Sequence, residues 1–184
     1  MTRIISGSLR GKRITGPKNE TVRPTTDRAK EALFNILYNQ FHFEQIKALD
    51  LFSGLGSLSL ELCSRGCEHV TAVEGNGRLV NFLEATAQEL QFEGLQAVCS
   101  EVVRYVERDH HQYDLILADP PYDYTDYENL VAKIFSQNLL SSDGLLVVEH
   151  QARKDLSHLT RYSHTRKYGN VAFSFFDLDQ PENP

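Results

Sequence analysis

The stretch Asp50-Leu51-Phe52-Ser53-Gly54-Leu55-Gly56 decides the fold that the sequence predicts. The mostly apolar residues 48–52 predict a buried strand, and the pattern from Ser57 to Arg65 predicts a helix that Gly66 can end. The two glycines between them let the chain turn tightly and let backbone amides approach a ligand. A strand, a glycine loop and a helix in this order are typical of doubly wound sheets, which bind ligands beside such loops.

The rest of the chain repeats the alternation of strands and helices. Further strands are predicted over residues 69–74, 97–99, 113–118 and 144–149, and further helices over residues 78–90, 101–108 and 126–137. Near the end, Gly169-Asn170 predicts a turn between two antiparallel strands. This order indicates an α/β fold with a doubly wound, mostly parallel sheet and an antiparallel C-terminal hairpin.

The N-terminal residues differ from this body in composition. They are basic and interrupted by three glycines, which favours a small β-hairpin or an extended arm. Helical spacing follows over residues 29–37, with Thr25 or Thr26 as the N-cap. We therefore divide the chain into a basic N-terminal arm or hairpin, residues 1–22, and an α/β domain, residues 23–184.

Length, cysteine count and charge set further limits. The 184 residues, 41% of them hydrophobic, suit one soluble domain. No run of 18 apolar residues predicts a membrane span, and three cysteines without an export signal are typical of a reduced cytoplasmic protein. Nothing in the sequence requires a second copy, so we expect a monomer.

The net charge of −6 hides an uneven distribution. Residues 1–30 hold eight lysines and arginines against two acidic residues, whereas the remainder holds 11 against 23. Such an asymmetry indicates a local binding surface for a polyanion such as a nucleic acid. A solvated basic segment without a partner is the alternative.

Two acidic residues at predicted strand ends are candidate nucleoside contacts. Glu74 ends its strand 20 residues after Gly54, where a carboxylate can accept hydrogen bonds from both ribose hydroxyls of an adenosine. The alternative for Glu74 is a surface acid that closes a strand. Glu101 can approach the adenine amine, or it can stabilise the positive end of the next helix. Ser59 replaces the last glycine of a dinucleotide fingerprint, which weakens a nicotinamide or flavin hypothesis.

Asp119-Pro120-Pro121-Tyr122, after the strand over residues 113–118, is the most specific motif. Two prolines donate no ladder hydrogen bonds and stiffen the backbone. An exocyclic amine of a nucleobase could therefore donate to Asp119 and to the Pro120 carbonyl while its ring stacks on Tyr122. A rigid turn without a ligand is the alternative.

These motifs resemble those of Rossmann-like methyltransferases that use S-adenosylmethionine. More narrowly, Arg3-Ile4-Ile5-Ser6-Gly7, Arg23-Pro24-Thr25-Thr26-Asp27-Arg28 and Glu31-Ala32-Leu33-Phe34-Asn35 are similar to the RsmD family. The resemblance implies S-adenosylmethionine as cofactor and methyl transfer to N2 of one guanine in small-subunit (16S) ribosomal RNA, free or in a small ribosomal subunit assembly intermediate. Leu55 and residues 75–77 depart from the family pattern.

The resemblance and the charge distribution together imply a role for each candidate residue. The implied catalytic residues are Asp119, Pro120, Pro121 and Tyr122. The implied cofactor-binding residues are Asp50, Ser53, Gly54, Gly56, Glu74, Glu101 and Thr26. The implied RNA-binding residues are Arg3, Arg10, Lys12, Arg13 and Arg23. For Arg23, Thr25 and Thr26, capping and anchoring of the first helix is an equal alternative.

Two other functions stay open. One is amino methyl transfer to adenine or cytosine in DNA, which the lack of a visible target-recognition domain disfavours. The other is a non-catalytic RNA-binding assembly factor that retains the fold. No metal site is expected, because His110-His111 has no cysteines at a zinc-type spacing.

Overall fold

The computed structural model describes residues 1–17 and 26–182, which form a two-stranded hairpin and a seven-stranded sheet flanked by helices. The strands are β1 (Thr2–Arg3), β2 (Arg13–Ile14), β3 (Lys47–Leu51), β4 (His69–Glu74), β5 (Leu95–Cys99), β6 (Tyr113–Ala118), β7 (Leu140–Gln151), β8 (Tyr162–Tyr168) and β9 (Val171–Asp177). The order in the main sheet is β5-β4-β3-β6-β7-β9-β8. Pairs from β5 to β7 are parallel, and β9 pairs antiparallel with β7 and β8, which confirms the predicted fold.

Five α-helices connect or flank these strands in the part of the chain that the structure describes. They are α1 (Asp27–Tyr38), α2 (Ser57–Ser64), α3 (Gly77–Glu89), α4 (Val102–Arg108) and α5 (Tyr127–Ser136). Thr26 caps α1, because its side-chain oxygen accepts a hydrogen bond from the Ala29 amide at 3.3 Å. Gly66, predicted to end α2, has a φ of +101°. No helix of the described residues is long and apolar enough to cross a membrane.

The strands β5 and β7 are longer than the sequence predicts. β5 begins at Leu95, which pairs with Val70 of β4. β7 begins at Leu140, which pairs with Tyr113 of β6, and it continues to Gln151 because its residues 145–151 pair with β9 residues 171–177. Pairing with a distant segment supplies hydrogen bonds that local composition does not reveal. The extra length of β7 carries its last residues to the edge of the sheet where the loops after β3 and β6 also lie.

Alternate residues of the central strands face two apolar layers. Leu49 and Ile116 are buried on the face that α4 and α5 cover, whereas Ala48 and Leu117 are buried on the face that α1 and α2 cover. A strand covered on both faces is expected at the centre of a doubly wound sheet. These layers hold the loops at the carboxyl ends of β3 and β6 in fixed positions.

The N-terminal hairpin packs on the body through its own apolar side chains. Ile4 and Ile14 are 1% and 5% exposed and contact a cluster that includes Leu60 of α2 and Leu83 of α3. The predicted hairpin is therefore confirmed, and it lies against the sheet's helices. The predicted boundary at residue 22 lies outside the described residues.

A buried carboxylate fastens the hairpin to the body. Glu61 of α2 accepts hydrogen bonds from the amides of Ile5 at 2.7 Å and Ser6 at 3.0 Å and from Arg65 Nε at 2.8 Å. Lys30 of α1 lies 3.6 Å from Glu61 and donates to the Arg3 carbonyl at 2.6 Å. Burial lowers the pKa of Lys30, and the charge of Glu61 opposes that shift. This cluster joins the hairpin, α1 and α2 at one point.

Replacing Glu61 by glutamine tests this cluster. Glu61→Gln leaves the Lys30 ammonium buried without its carboxylate, and removing one partner of a buried ion pair costs about 3–5 kcal/mol. We expect a loss of that size in the free energy of unfolding measured in urea. Glu89→Gln, which removes an exposed pair with Lys12 at 3.3 Å, is the control and should change stability little. Equal losses in the two variants would contradict the anchoring role.

Candidate active site

A cavity of about 890 Å³ opens at the carboxyl ends of the central parallel strands. After β3 the chain adds strands on one side, and after β6 it adds them on the other, so the cavity lies at the switch point of the sheet. Nine residues singled out in the sequence line it: Thr26, Asp50, Ser53, Gly54, Glu74, Asp119, Pro120, Pro121 and Tyr122. The structure therefore brings together the glycine loop after β3, Glu74 of β4 and the proline motif, which is the stretch Asp119-Pro120-Pro121-Tyr122.

The loop after β3 is a tight turn with a left-handed backbone. Phe52, Gly54 and Gly56 have φ angles of 65°, 54° and 75°. A bulky residue such as Phe52 in this region costs of order 1–3 kcal/mol, and such strain concentrates at ligand sites. The Ser53 amide donates to the Val73 carbonyl at 3.0 Å, and the Gly56 amide donates to the Ser53 carbonyl at 2.7 Å. These hydrogen bonds hold the loop open toward the cavity.

Asp50 places a half-satisfied carboxylate in the wall of the cavity. Its Oδ2 accepts hydrogen bonds from the Ser59 amide at 3.0 Å and the Ser59 hydroxyl at 2.5 Å. Its Oδ1 is buried and has no hydrogen-bond partner among the described residues. Burial raises the pKa of Asp50 to about 7, and the charges of Asp119 and Glu74 add to the increase. An uncompensated buried carboxylate of this kind fits a positively charged ligand.

Glu74 accepts hydrogen bonds from the loop after β3 and from the loop after β4. One oxygen accepts from the Gly54 amide at 2.9 Å and the other from the Asn76 amide at 2.8 Å. Each carboxylate oxygen has a second lone pair, so Glu74 can still accept two hydroxyl donors from a ligand. The Ser53 hydroxyl, which also lines the cavity, has no partner among the residues described. Glu74 and Ser53 therefore add three unused hydrogen-bonding positions to the wall.

The proline motif forms a braced loop opposite these groups. The Asp119 amide donates to the Leu51 carbonyl at 3.2 Å, and Gln151 Nε2 donates to the Tyr122 carbonyl at 2.7 Å. Tyr122 is 62% exposed, so its ring is accessible to a stacking partner. The loop is thus tied to β3 on one side and to the end of β7 on the other, with Pro120 buried between them.

Two of the predicted cofactor-binding residues do not line the cavity. Glu101 caps α4, because its carboxylate accepts hydrogen bonds from the amides of Val103 at 2.9 Å and Arg104 at 2.8 Å. A side chain at Gly56 would lie 2.3 Å from Leu83 of α3, so this glycine permits close packing of that helix. Contact between either residue and a cofactor stays a prediction.

The predicted RNA-binding residues of the hairpin fall into two groups. Arg3 pairs with Asp27 at 2.8 Å and Lys12 pairs with Glu89 at 3.3 Å. Arg10 and Arg13 are exposed, and neither forms an ion pair within the described part of the chain. Arg23 lies outside the described residues.

The sequence motifs do not predict the part of the cavity wall that lies at β7 and β9. These lining residues are Glu149, His150, Gln151, Ala152, Arg153, Asn170 and Val171. They reach the cavity through the long β7–β9 pairing, for which local sequence carries no signal. An aromatic row was also missed: Tyr124 contacts Phe52 and Tyr127 edge to face, with ring centroids 5.3 Å and 5.1 Å apart.

Comparison with known proteins relates this geometry to a family. A family model described as conserved hypothetical protein 95 matches residues 2–177. Ribosomal RNA small subunit methyltransferase D of Haemophilus influenzae is 33% identical over 158 residues, which cover 84% of this chain and 81% of the relative.

Solved structures share this fold. The Escherichia coli protein yhhF superposes with a TM-score of 0.85 and 25% identity over 100% of this chain and 99% of its own. A 16S rRNA N2 guanine methyltransferase of Thermus thermophilus, solved with AdoMet and guanosine, superposes with a TM-score of 0.68 and 21% identity. The match covers 82% of this chain and 43% of that one, and it shows a common fold.

The raised pKa of Asp50 predicts how stability depends on pH. Because the pKa is about 7 in the folded protein and ordinarily 3.8, the folded state binds the proton more tightly. That stabilisation is complete below the ordinary pKa and is lost as the pH rises to about 7. Relative to Asp50→Asn, the free energy of unfolding should fall by about 1.4 kcal/mol per pH unit between about pH 4.5 and 6.5. Urea unfolding of both proteins measures the difference, and a difference independent of pH would contradict the assignment.

Proposed function

This chain belongs to the RsmD family, whose model is described as conserved hypothetical protein 95, and from that membership we propose that it methylates the N2 amine of a guanine in small-subunit ribosomal RNA. The methyl donor is S-adenosylmethionine. The observation that carries the proposal is the position of Asp119-Pro120-Pro121-Tyr122 in the same cavity as the unsatisfied carboxylate of Asp50 and the acid Glu74.

The residues of the cavity wall fit the cofactor chemically. S-adenosylmethionine supplies a methyl group on a positively charged sulfur, together with an ammonium group and two ribose hydroxyls. Asp50 offers its unpaired Oδ1 to positive charge, and Glu74 offers its remaining lone pairs to the ribose hydroxyls. The Ser53 hydroxyl supplies one more hydrogen-bonding group to the polar part of the cofactor.

Asp119 and Pro120 prepare the amine for attack. The guanine amine is a weak nucleophile, because its lone pair is delocalised into the ring. Hydrogen bonds from its two N–H groups to the Asp119 carboxylate and the Pro120 carbonyl orient the nitrogen, and Tyr122 stacks on the flipped ring. The new N–C bond forms as the S–C bond breaks, and Asp119 accepts the proton that the nitrogen loses. Positioning contributes most, since the sulfonium is already a good leaving group.

The hairpin supplies contacts to the RNA backbone. Arg10 and Arg13 are exposed and face no acidic partner among the described residues, so their guanidinium groups can bind phosphates. The buried Glu61 cluster fixes the hairpin to α1 and α2. A basic segment held rigidly against the catalytic body can set the orientation of the RNA relative to the cavity.

Replacing Asp119 tests the catalytic proposal. Asp119→Ala removes one of the two acceptors for the amine and the acceptor of its proton, so we expect methyl transfer from labelled S-adenosylmethionine to small-subunit RNA to fall at least about hundredfold. Cofactor affinity measured by calorimetry should change little, since the cofactor contacts come from Asp50, Ser53 and Glu74.

The substrates used in this assay separate the alternatives. Label in RNA that Asp119→Ala abolishes supports the proposal. Label in DNA and none in RNA would favour an adenine or cytosine methyltransferase. Binding of RNA without any transfer by the wild-type protein would favour a non-catalytic assembly factor, and near-normal transfer by Asp119→Ala would overturn the catalytic role.

Neutralising the hairpin tests the RNA-binding surface. The double variant Arg10→Gln/Arg13→Gln removes two phosphate contacts, so the slope of log affinity against log salt should fall in magnitude by about 1.4–1.8. Cofactor affinity should stay unchanged. Arg104→Gln/Arg108→Gln on α4 makes the same charge change away from the hairpin and is the control. Equal slopes in the two double variants would show that the RNA binds elsewhere.

A further inference from the structure

We propose that Arg153, held in place by Gln151, reads the O6 and N7 edge of the target base and makes the site selective for guanine. This inference rests on the proposed function and assigns a residue that determines its specificity. It concerns the wall after β7, which the sequence motifs do not include.

A chain of two hydrogen bonds connects Arg153 to the motif that holds the base. Arg153 Nε donates to Gln151 Oε1 at 2.7 Å, and Gln151 Nε2 donates to the Tyr122 carbonyl at 2.7 Å. Both side chains line the cavity together with Asp119 and Tyr122. The amide of Gln151 therefore orients the guanidinium toward the same opening that admits the base.

The loop from Asp119 to Tyr122 is tied to β3 at Asp119 and to the end of β7 at Tyr122. The Asp119 backbone is tied to Leu51 at the end of β3, whereas Gln151, which ends β7, holds the Tyr122 carbonyl. We therefore place a purine that stacks on Tyr122 with its N2 amine at Asp119 so that its far edge faces the β7 side, where Arg153 lines the cavity. That edge of guanine carries O6 and N7.

The guanidinium of Arg153 is available for this contact. Its side chain is exposed, and its bond to Gln151 uses only Nε. No carboxylate of the described residues forms an ion pair with it. Two terminal nitrogens remain, and arginine commonly donates two parallel hydrogen bonds to O6 and N7 of guanine. Adenine presents an amine donor in place of O6, so the same fork repels it.

The test compares two bases at the position that the wild-type protein methylates. An RNA fragment carries there either guanine or 2-aminopurine, which keeps the N2 amine and N7 but has no O6. Arg153→Met should lower kcat/KM for guanine about ten- to hundredfold and lower kcat/KM for 2-aminopurine, which loses only the N7 contact, by a smaller factor, so the ratio of the two kcat/KM values falls. The altered reactivity of the 2-aminopurine amine affects both proteins equally and cancels in the comparison.

Arg166→Met is the matched control, because Arg166 is exposed on β8 and does not line the cavity. It should leave the ratio unchanged, and calorimetry should give the wild-type cofactor affinity for both variants. Equal losses on both bases would assign Arg153 to a phosphate contact and overturn the inference, as would an unchanged ratio. Absence of methyl transfer by the wild-type protein would overturn the proposed function together with the inference.

Discussion

The parallel direction of β3, β4 and β6 is the constraint on which the site depends. Because their carboxyl ends meet at one edge, the acids that belong to those ends, Asp50, Glu74 and Asp119, share one cavity. Burial of the Asp50 carboxylate, with the like charges of Asp119 and Glu74 beside it, carries a cost that the raised pKa of Asp50 records. A cationic ligand relieves it, so the feature that destabilises the free protein favours binding of the cofactor.

Sequence patterns predict the central part of this arrangement well. The strands that end at Glu74 and Ala118 were predicted to the residue, because apolar runs bounded by glycine or proline are local signals. The spacing between Gly54 and Glu74 has a direct physical counterpart in the 2.9 Å hydrogen bond between them. Thr26 was one of two proposed caps, and it both caps α1 and lines the cavity.

The remaining wall could not be predicted because it depends on contacts between distant segments. The register of β7 with β9 brings Gln151 and Arg153 to the opening, and neither residue belongs to a recognisable motif. Glu61 is another example, since a single acid in an apolar helix acquires its role only when the hairpin amides and Lys30 converge on it. Short-range patterns carry no information about such convergence.

The identity of the methylated nucleoside tests the central claim most directly. Small-subunit RNA or subunits lacking the modification would be incubated with the protein and S-adenosylmethionine, digested to nucleosides and analysed by mass spectrometry against standards. We expect N2-methylguanosine as the methylated nucleoside. Methylated adenosine or cytidine, or RNA that stays unmodified as free chain and as subunit, would contradict it.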